Sequence, residues 1–245
     1  MMTYKEKIHL LKGILAEGNV VFFGGAGVST ESGIPDFRSA DGLYNAQYSY
    51  SPEEVVSHTF FYRHTEEFYN FYRDKILFPE AKPNACHLGL AYLEKEGILR
   101  AVVTQNIDGL HQKAGSQKVY ELHGSVWRNY CTKCKKGHTV YEIIDCEGVP
   151  YCTCGGLIKP DVVLYEEGLD DNTVMGAVRA IANANTLIVG GTSLVVYPAA
   201  GLLRYFKGKH LVVINRTPTI ADGGAELLFT ENIGQVFADL LGDKK

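Results

Sequence analysis

Short apolar runs recur along the chain, and each is rich in β-branched residues and uninterrupted by charge. They are VVFF (20–23), AVVTQN (101–106), DVVLY (161–165), TLIVGG (186–191) and HLVVIN (210–215). Uniformly apolar runs are typical of strands that are buried on both faces. Helix-like stretches at 83–97 and 170–185 lie between them. Strands that alternate with helices predict an α/β fold with a parallel sheet.

The N-terminal segment shows a different periodicity. Its apolar residues Ile8, Leu11, Ile14 and Leu15 recur at helical spacing, and charged residues interrupt the segment throughout. This pattern predicts an amphipathic first helix rather than a secretion signal. No apolar stretch approaches the roughly 20 residues that span a bilayer. We therefore expect a cytoplasmic protein with no membrane partner.

Two segments interrupt the alternation of strands and helices. Residues 39–75 are rich in Tyr, Phe and His and look helical from Ser51, with Pro52 in the first turn. Residues 127–159 are polar and contain most of the cysteines. We interpret both as insertions that build a smaller second lobe, a helical module and a metal-binding module. The larger domain then comprises residues 1–38, 76–126 and 160–245.

A glycine-rich loop, GGAGVST, follows the first predicted strand. Glycines let backbone N–H groups approach phosphates. Gly25 and Gly27 fit the dinucleotide fingerprint G-x-G-x-x-G, but Thr30 stands at its third glycine. The acidic residue that usually binds the ribose in dehydrogenases does not end a second core strand. The loop therefore indicates a nucleotide site that differs from the hydride-transfer type, although a plain strand-to-helix turn would also explain it.

Five of the six cysteines lie within 24 residues. Two close pairs, separated by 17 residues, could close a tetrahedral Zn²⁺ shell. Four thiolates leave no open position, so we expect a structural metal, held by Cys131, Cys134, Cys152 and Cys154. Cys146 remains an alternative ligand, because the second pair is one residue shorter than C-x-x-C. Cys86 lies on an apolar helix face and is interpreted as a buried hydrophobic residue.

Polar residues follow the second core strand and precede the cysteine segment. Gln105, Asn106 and Asp108 lie just beyond the strand, where open α/β sheets bind ligands. Their amides and carboxylate could hold a carboxamide or a sugar. His123 directly precedes the cysteine segment. Taken alone, it is better interpreted as an ordinary core or surface histidine. The formal net charge of −4, without a long basic run, indicates no nucleic-acid partner.

The order of the motifs resembles that of the sirtuins, which are NAD-dependent protein-lysine deacylases, and in particular a short bacterial-type form. The resemblance spans residues 5–240 and is carried by GAGVSTESGIPDFRS, TQNIDGLH, ELHGS, the paired cysteines, GGLIKPDVV, GGTSLVVYPA and VVIN. It implies a Rossmann-like NAD-binding domain with helices on both faces of its sheet, plus a small lobe made of a zinc ribbon and a helical module. NAD and an acyl-lysine peptide are expected to meet between the two parts.

The resemblance also implies roles for individual residues. Asn106 and His123 match the catalytic positions, with His123 as general base; an unperturbed imidazole has a pKa of about 6.5 and suits that task. Phe37 and Arg38 belong to the segment that covers the cofactor. The complete set of implied NAD contacts is Ala26, Gly27, Thr30, Asp36, Phe37, Arg38, Gln105, Ile107, Asp108, Gly191, Thr192, Ser193, Asn215 and Ile233.

The implied reaction releases nicotinamide and transfers the acyl group to ADP-ribose. In it the acyl oxygen attacks the ribose C1′ and His123 accepts a proton from a ribose hydroxyl. A protein mono-ADP-ribosyltransferase that uses the same site is an alternative. A non-catalytic NAD-binding module is a third hypothesis, and the presence of both Asn106 and His123 argues against it.

The resemblance further implies that an acyl-lysine protein substrate binds as an added strand between 161–167 and 193–198. Many sirtuins have Phe-Gly-Glu where this chain has Tyr165-Glu166-Glu167. Glu166 at the glycine position could alter peptide preference, or it could be a surface substitution without consequence.

Selectivity for the acyl group is also suggested by the resemblance. Sirtuins that prefer succinyl or malonyl lysine carry Tyr-x-x-Arg on a small-lobe helix, and the Arg pairs with the acyl carboxylate. Here Tyr69 fits, but Tyr72 stands at the Arg position. Arg73 lies about 100° further around the helix and should point elsewhere. We therefore expect uncharged acyl groups such as acetyl to be preferred.

Overall fold

Helix α1 (Tyr4–Ala16) opens the chain in this computed structural model, which describes residues 2–36 and 50–242. The Thr3 side chain accepts a hydrogen bond from the Glu6 N–H, and the Glu6 carboxylate accepts one from the Thr3 N–H. This reciprocal pair is a capping box, which satisfies two N–H groups that a helix N-terminus leaves unpaired. The four apolar residues singled out above are all buried, which confirms the predicted amphipathic helix.

The described residues form eight further α-helices and nine strands. The helices are α2 (Pro52–Val55), α3 (His58–Arg63), α4 (Thr65–Phe71), α5 (Ala85–Lys95), α6 (Leu110–Lys113), α7 (Val140–Ile144), α8 (Asp171–Ala182) and α9 (Ile233–Leu241). The strands are β1 (Val20–Gly24), β2 (Leu99–Thr104), β3 (Val119–Glu121), β4 (Gly124–Cys131), β5 (Gly137–Thr139), β6 (Ile158–Val162), β7 (Thr186–Gly190), β8 (His210–Ile214) and β9 (Leu227–Phe229).

Six strands form a sheet in the order β3-β2-β1-β7-β8-β9, and every neighbouring pair is parallel. The chain builds outward from β1 on one side and returns to build outward from β7 on the other. The strand order therefore reverses between β1 and β7. In open α/β sheets the crevice at such a reversal, beyond the carboxyl ends of the strands, is where ligands bind. The predicted Rossmann-like parallel sheet is confirmed.

The two faces of this sheet carry separate cores. Along β1, Val20 and Phe22 join the core beneath α1, α5 and α9, whereas Val21 and Phe23 join the core beneath α8. Successive strand residues point to opposite faces, so a strand covered on both sides must be apolar throughout. Burying each of these side chains contributes about 1.5–3 kcal/mol. The uniform apolar run at 20–23 is thus explained.

A second sheet of three antiparallel strands has the order β5-β4-β6. The run DVVLY was predicted to be a strand of the parallel sheet, like the other four runs. Its first residues instead belong to β6 of this antiparallel sheet. Its neighbour is β4, paired from Gly124 with Val162 to Cys131 with Ile158. Strands β4 and β6 both extend across the domain limits that the sequence suggested near residues 126 and 160.

A third core lies between the short helices α2–α4 and the three-stranded sheet. The Ser51 side chain accepts from the Glu54 N–H and Pro52 is the first helical residue, so α2 begins where the sequence predicts. Aromatic residues dominate this core: Phe60, Phe61, Phe68, Tyr69, Phe71 and Tyr72 are all buried. Residues 39–49 of the predicted helical module lie outside the described residues.

Within the described ranges, no helix combines the length and apolar character needed to cross a membrane.

Two histidines are buried beside the first core. His87 on α5 and His111 on α6 are 0% and 1% exposed, and their ring centroids lie 4.8 Å apart. Burial disfavours the charged imidazole, so the pKa of His87 falls to about 4. The pKa of His111 also lies well below its usual range because of burial, with a smaller contribution from His87. The fold therefore requires both rings to be neutral.

Acid should destabilise the protein through these rings, because below pH 6.5 the unfolded chain binds protons that the folded chain excludes. The two rings therefore leave the free energy of unfolding unchanged above pH 6.5 and lower it as the pH falls from 6.5 towards 4. Gln at position 87 keeps an acceptor for the Asn84 N–H but does not titrate. Between pH 7.5 and 5.5 the native chain should lose about 1.4 kcal/mol more free energy of unfolding than His87→Gln.

Urea unfolding at the two pH values measures this difference. His9→Gln, at an exposed position on α1, is the matched control and should lose as much stability as the native chain. Equal losses in the native chain and in His87→Gln would show that His87 is not the titrating group.

Candidate active site

Two glycine-containing loops meet at the strand-order reversal. The loop after β1 forms two successive 3₁₀ turns, Ala26–Val28 and Thr30–Ser32. The Gly27 N–H donates to the Gly191 carbonyl at 2.8 Å. Gly191 has a φ of +58°, and a Cβ atom there would lie 2.4 Å from the Val28 nitrogen. A side chain at position 191 would therefore push the two loops apart.

Ser29 connects the polar residues at this edge. Its hydroxyl donates to the Asp108 carboxylate at 2.6 Å and accepts from the Asn106 amide at 3.0 Å. Ser29 is 1% exposed and Asn106 is 9% exposed. Ser29 is not among the site residues predicted from the sequence, although a hydroxyl inside the glycine motif was a usable signal. The three side chains satisfy one another in a buried setting, where an unpaired polar group costs about 1–3 kcal/mol.

Asp108 is one of the residues that line a small, mostly apolar recess. Ile34, Leu77 and Trp127 are among the side chains that line it. Burial raises the pKa of Asp108, while the hydrogen bonds from Ser29 and the Leu110 N–H act in the opposite direction. The Trp127 indole N–H donates to the Asp108 carbonyl at 2.7 Å. A carboxylate in such a recess can accept from a buried amide or hydroxyl of a ligand.

His123 lies where the two sheets meet, two residues after β3 and immediately before β4. Its Nδ1 lies 2.9 Å from the Gln105 carbonyl oxygen. A carbonyl can only accept, so the ring proton must be on Nδ1 and Nε2 is left as the acceptor. Burial lowers the pKa of His123, and the bond to Gln105 raises it by a smaller amount. The neutral ring, which can act as a base, therefore predominates at pH 7.

Gln105 links this histidine to the second glycine loop. Its side-chain amide donates to the Thr192 hydroxyl at 3.0 Å. The Thr192 N–H in turn donates to the Asn215 side chain at 3.0 Å. Asn215 also donates to the Thr217 carbonyl at 2.7 Å. The carboxyl ends of β2, β7 and β8 are thereby joined by amide and hydroxyl groups.

The remaining predicted contacts fall into three groups. Thr30 and Ser193 are exposed at the loops, and Ala26 and Asp36 are half-buried. Ile107 packs beside the small-lobe core, and Ile233 is 5% exposed beneath Gly190, within the first core rather than at its surface. The third group, Phe37 and Arg38, lies outside the described residues. The structure therefore brings Gln105, Asn106, Asp108 and His123 together with both glycine loops.

The four predicted metal ligands cluster at one end of the small lobe. All four sulfur atoms lie within 4.8 Å of one another. The Sγ atoms of Cys131 and Cys154 are 3.4 Å apart, and those of Cys134 and Cys152 are 3.7 Å apart. Zn–S bonds of about 2.3 Å in a tetrahedron place sulfurs about 3.8 Å apart, so the cluster fits zinc. The cluster does not include Cys146, whose Sγ donates to the Glu147 carbonyl.

Backbone N–H groups favour the thiolate forms of Cys131 and Cys152 in this cluster. They donate to the Cys131 sulfur from Lys133 and Cys134, each at 3.4 Å. The bond from Cys134 is the main reason that the pKa of Cys131 is lowered. A backbone bond from Cys154 lowers the pKa of Cys152 to about 6. Thiolate is the form that binds a metal.

Comparison with known proteins places these features in one family. The sequence profile described as "Sir2 family" matches residues 25–198, which include both glycine loops, the polar cluster and all four cysteines.

Individual relatives match over almost their whole length. A protein of Clostridium perfringens (strain 13 / Type A) named "NAD-dependent protein deacetylase" is 59% identical over 96% of this chain and 99% of its own. The solved structure "Sir2-p53 peptide-NAD+" is 40% identical, with a TM-score of 0.85 and coverage of 99% of both chains. A Sir2 structure with an inhibitor, 2'-O-acetyl-ADP-ribose and deacetylated p53 peptide is 40% identical, with a TM-score of 0.83, over 96% of this chain and 98% of its own. With this coverage and identity, the chain belongs to the Sir2 family.

Proposed function

We propose that this chain is an NAD-dependent protein-lysine deacetylase that transfers the acyl group to ADP-ribose and releases nicotinamide. The observation that carries the proposal is the arrangement of His123. Its Nδ1 is held by the Gln105 carbonyl, so Nε2 is the ring nitrogen that can act as a base. The neighbouring residue Asn106 belongs to the Asn106–Ser29–Asp108 cluster. The names of relatives that are 59% and 58% identical over nearly the whole chain support the same activity.

The chemistry of the donor set fits NAD. Hydroxyl and amide groups of Thr30, Thr192, Ser193 and Asn215 occupy the carboxyl edge of the sheet at the strand-order reversal, where a pyrophosphate and a ribose can accept hydrogen bonds. Asp108 is a carboxylate in an apolar recess, which suits the N–H groups of a carboxamide. When NAD is bound, its nicotinamide–ribose bond is the bond that breaks. We assign Phe37, Arg38 and the other expected contacts to the same site on the family motif.

His123 acts as the general base in this proposal. Because Nδ1 already donates to a carbonyl, Nε2 alone can take a proton from a hydroxyl of the co-substrate. The lowered pKa keeps the ring neutral at pH 7. Activity should therefore decline as the pH falls below the ordinary histidine value of about 6.5. Asn106, held by Ser29, is assigned to orient the reacting ribose.

The protein substrate is assigned to the cleft between 161–167 and 193–198. Large side chains are exposed on both segments: Tyr165 is 43% exposed, Val195 52% and Tyr197 67%. The Glu166 carboxylate accepts from the Thr59 N–H at 2.9 Å and from the Thr59 hydroxyl at 2.7 Å. These bonds attach the 161–167 side of the cleft to α3. A peptide bound as an added strand would use backbone hydrogen bonds, which read its sequence weakly.

Zinc is assigned a structural role in the four-cysteine cluster. A closed thiolate shell has no position for substrate, and its binding free energy stabilises a segment with little core of its own. The larger domain and the two small-lobe modules expected from the sequence remain part of this proposal.

His123→Ala should lower the rate of acyl-lysine removal by about a hundredfold or more, because a positioned base contributes about that much. The fold and NAD affinity should change little, since the ring makes one hydrogen bond within the part of the chain that the structure describes. Mass spectrometry of both products from NAD and an acetyl-lysine peptide measures the rate, with His9→Ala as control. Normal turnover by His123→Ala contradicts the assigned base. Protein-bound ADP-ribose in place of acylated ADP-ribose would indicate the transferase alternative.

Acetyl-lysine should be removed at least about tenfold faster than succinyl-lysine from one peptide sequence. The Arg73 guanidinium donates to the carbonyls of Ile143 and Gly148, so it cannot pair with an acyl carboxylate. Tyr69 and Tyr72 are 0% and 1% exposed. An unpaired carboxylate entering the site costs about 1.4 kcal/mol or more, which is tenfold. Faster removal of the succinyl group would refute this selectivity.

Cys131→Ala should lose bound zinc and solubility together, because three thiolates cannot close the shell. Elemental analysis of purified protein measures the metal, and limited proteolysis measures the integrity of the small lobe. Cys146→Ala is the matched control and should keep the zinc of the native chain. Full zinc content in Cys131→Ala would mean that the ligand set is wrong.

A further inference from the structure

Asn84, which none of the foregoing roles includes, contacts the loop that carries the predicted phosphate contacts. We call residues 25–34 the cofactor loop. The side-chain amide nitrogen of Asn84 donates to the Val28 carbonyl at 2.7 Å and to the Ser32 hydroxyl at 3.0 Å. These two acceptors belong to the two successive turns of the loop. A single amide group therefore connects both turns.

Asn84 is itself held by the helix that it begins. It is the N-cap of α5, and its side-chain oxygen accepts from the Cys86 N–H at 2.9 Å. Its own N–H donates to His87 Nδ1 at 3.2 Å. Because the oxygen faces the helix, the NH₂ group must face the cofactor loop. Ser, Thr and Asp also cap helices well, but they have no second group that donates two hydrogen bonds at this distance.

The cofactor loop is also anchored to other parts of the fold. The Glu31 carboxylate accepts from the Gly234 N–H at the start of α9 at 2.7 Å. The Gly27 N–H donates to Gly191. Ser29 lies between the two turns that Asn84 connects, and it carries the bonds to Asn106 and Asp108. A shift of either turn would therefore move the hydroxyl on which that cluster depends.

We propose that Asn84 is a positioning residue for NAD binding: its amide fixes the spacing of the two turns of the cofactor loop, and thereby the positions of Gly27, Ser29 and Thr30. The proposal rests on the function proposed above, in that it takes the loop to bind NAD. It assigns Asn84 no contact with the reacting atoms.

Asn84→Ser separates this role from helix capping, since Ser keeps the cap but cannot reach Val28. Calorimetric titration with NAD should give about tenfold weaker affinity, equivalent to about 1.4 kcal/mol. In steady-state assays KM for NAD should rise by a similar factor, while KM for an acetyl-lysine peptide should stay within about twofold. Asp170→Ser, at the capping residue of α8, is the matched control and should leave NAD affinity unchanged.

Ser32→Ala removes only one of the two acceptors and should weaken NAD affinity by about threefold. It also tests the proposal if Asn84→Ser fails to fold. Unchanged NAD affinity in a folded Asn84→Ser, or an equal loss in Asp170→Ser, would overturn the proposal. NAD binding without release of nicotinamide from NAD in the presence of any acyl-lysine peptide would instead contradict the proposed function and leave the Asn84 result intact.

Discussion

The parallel pairing of β1 with both β2 and β7 is the constraint on which the candidate site depends. Because all three strands run in the same direction, their carboxyl ends lie at one edge of the sheet, and the three loops that follow them line one crevice. The cofactor loop, the segment from Gln105 to Asp108 and the loop at Gly191 become neighbours although long stretches of chain separate them. The contact between Gly27 and Gly191 then sets how closely the first and third loops approach.

Burial determines how the polar residues of this crevice can be arranged. Asp108 is buried, and among the described residues no cation lowers its pKa, so hydrogen bonds must offset its desolvation. Ser29 supplies one and the Leu110 N–H supplies another. A hydroxyl that donates to Asp108 has only its lone pairs left, which explains why Asn106 presents its NH₂ group to Ser29. Each side chain thus fixes the orientation of the next. The hydrogen bonds of Asn84 and Glu31 connect the cofactor loop, which contains Ser29, to α5 and α9.

The sequence predicts the parts of this arrangement that depend on local pattern. Uniform apolar runs predict buried strands, the helical spacing of Ile8 to Leu15 predicts α1, and two close cysteine pairs predict a metal cluster. It does not predict contacts that depend on packing. DVVLY is as apolar as the parallel strands, yet it pairs with β4, because periodicity does not specify a partner. Strands β3 and β9 are three residues long and give too short a pattern. The hydrogen bond from Asn84 to Val28 joins residues that are 56 positions apart, so no local sequence pattern predicts it.

The residues at the acyl-selectivity motif of the small lobe have a structural role in this chain. Tyr69 and Tyr72 stand where the resemblance places an acyl-reading pair, yet both lie in the aromatic core, and the Tyr69 hydroxyl donates to the Ile158 carbonyl of β6. Arg73 donates instead to carbonyls near α7. These three residues therefore join the helices to the three-stranded sheet that carries the cysteine cluster. Because the Arg73 guanidinium is committed to this packing, the proposed preference for uncharged acyl groups depends on the same contacts that hold the lobe together.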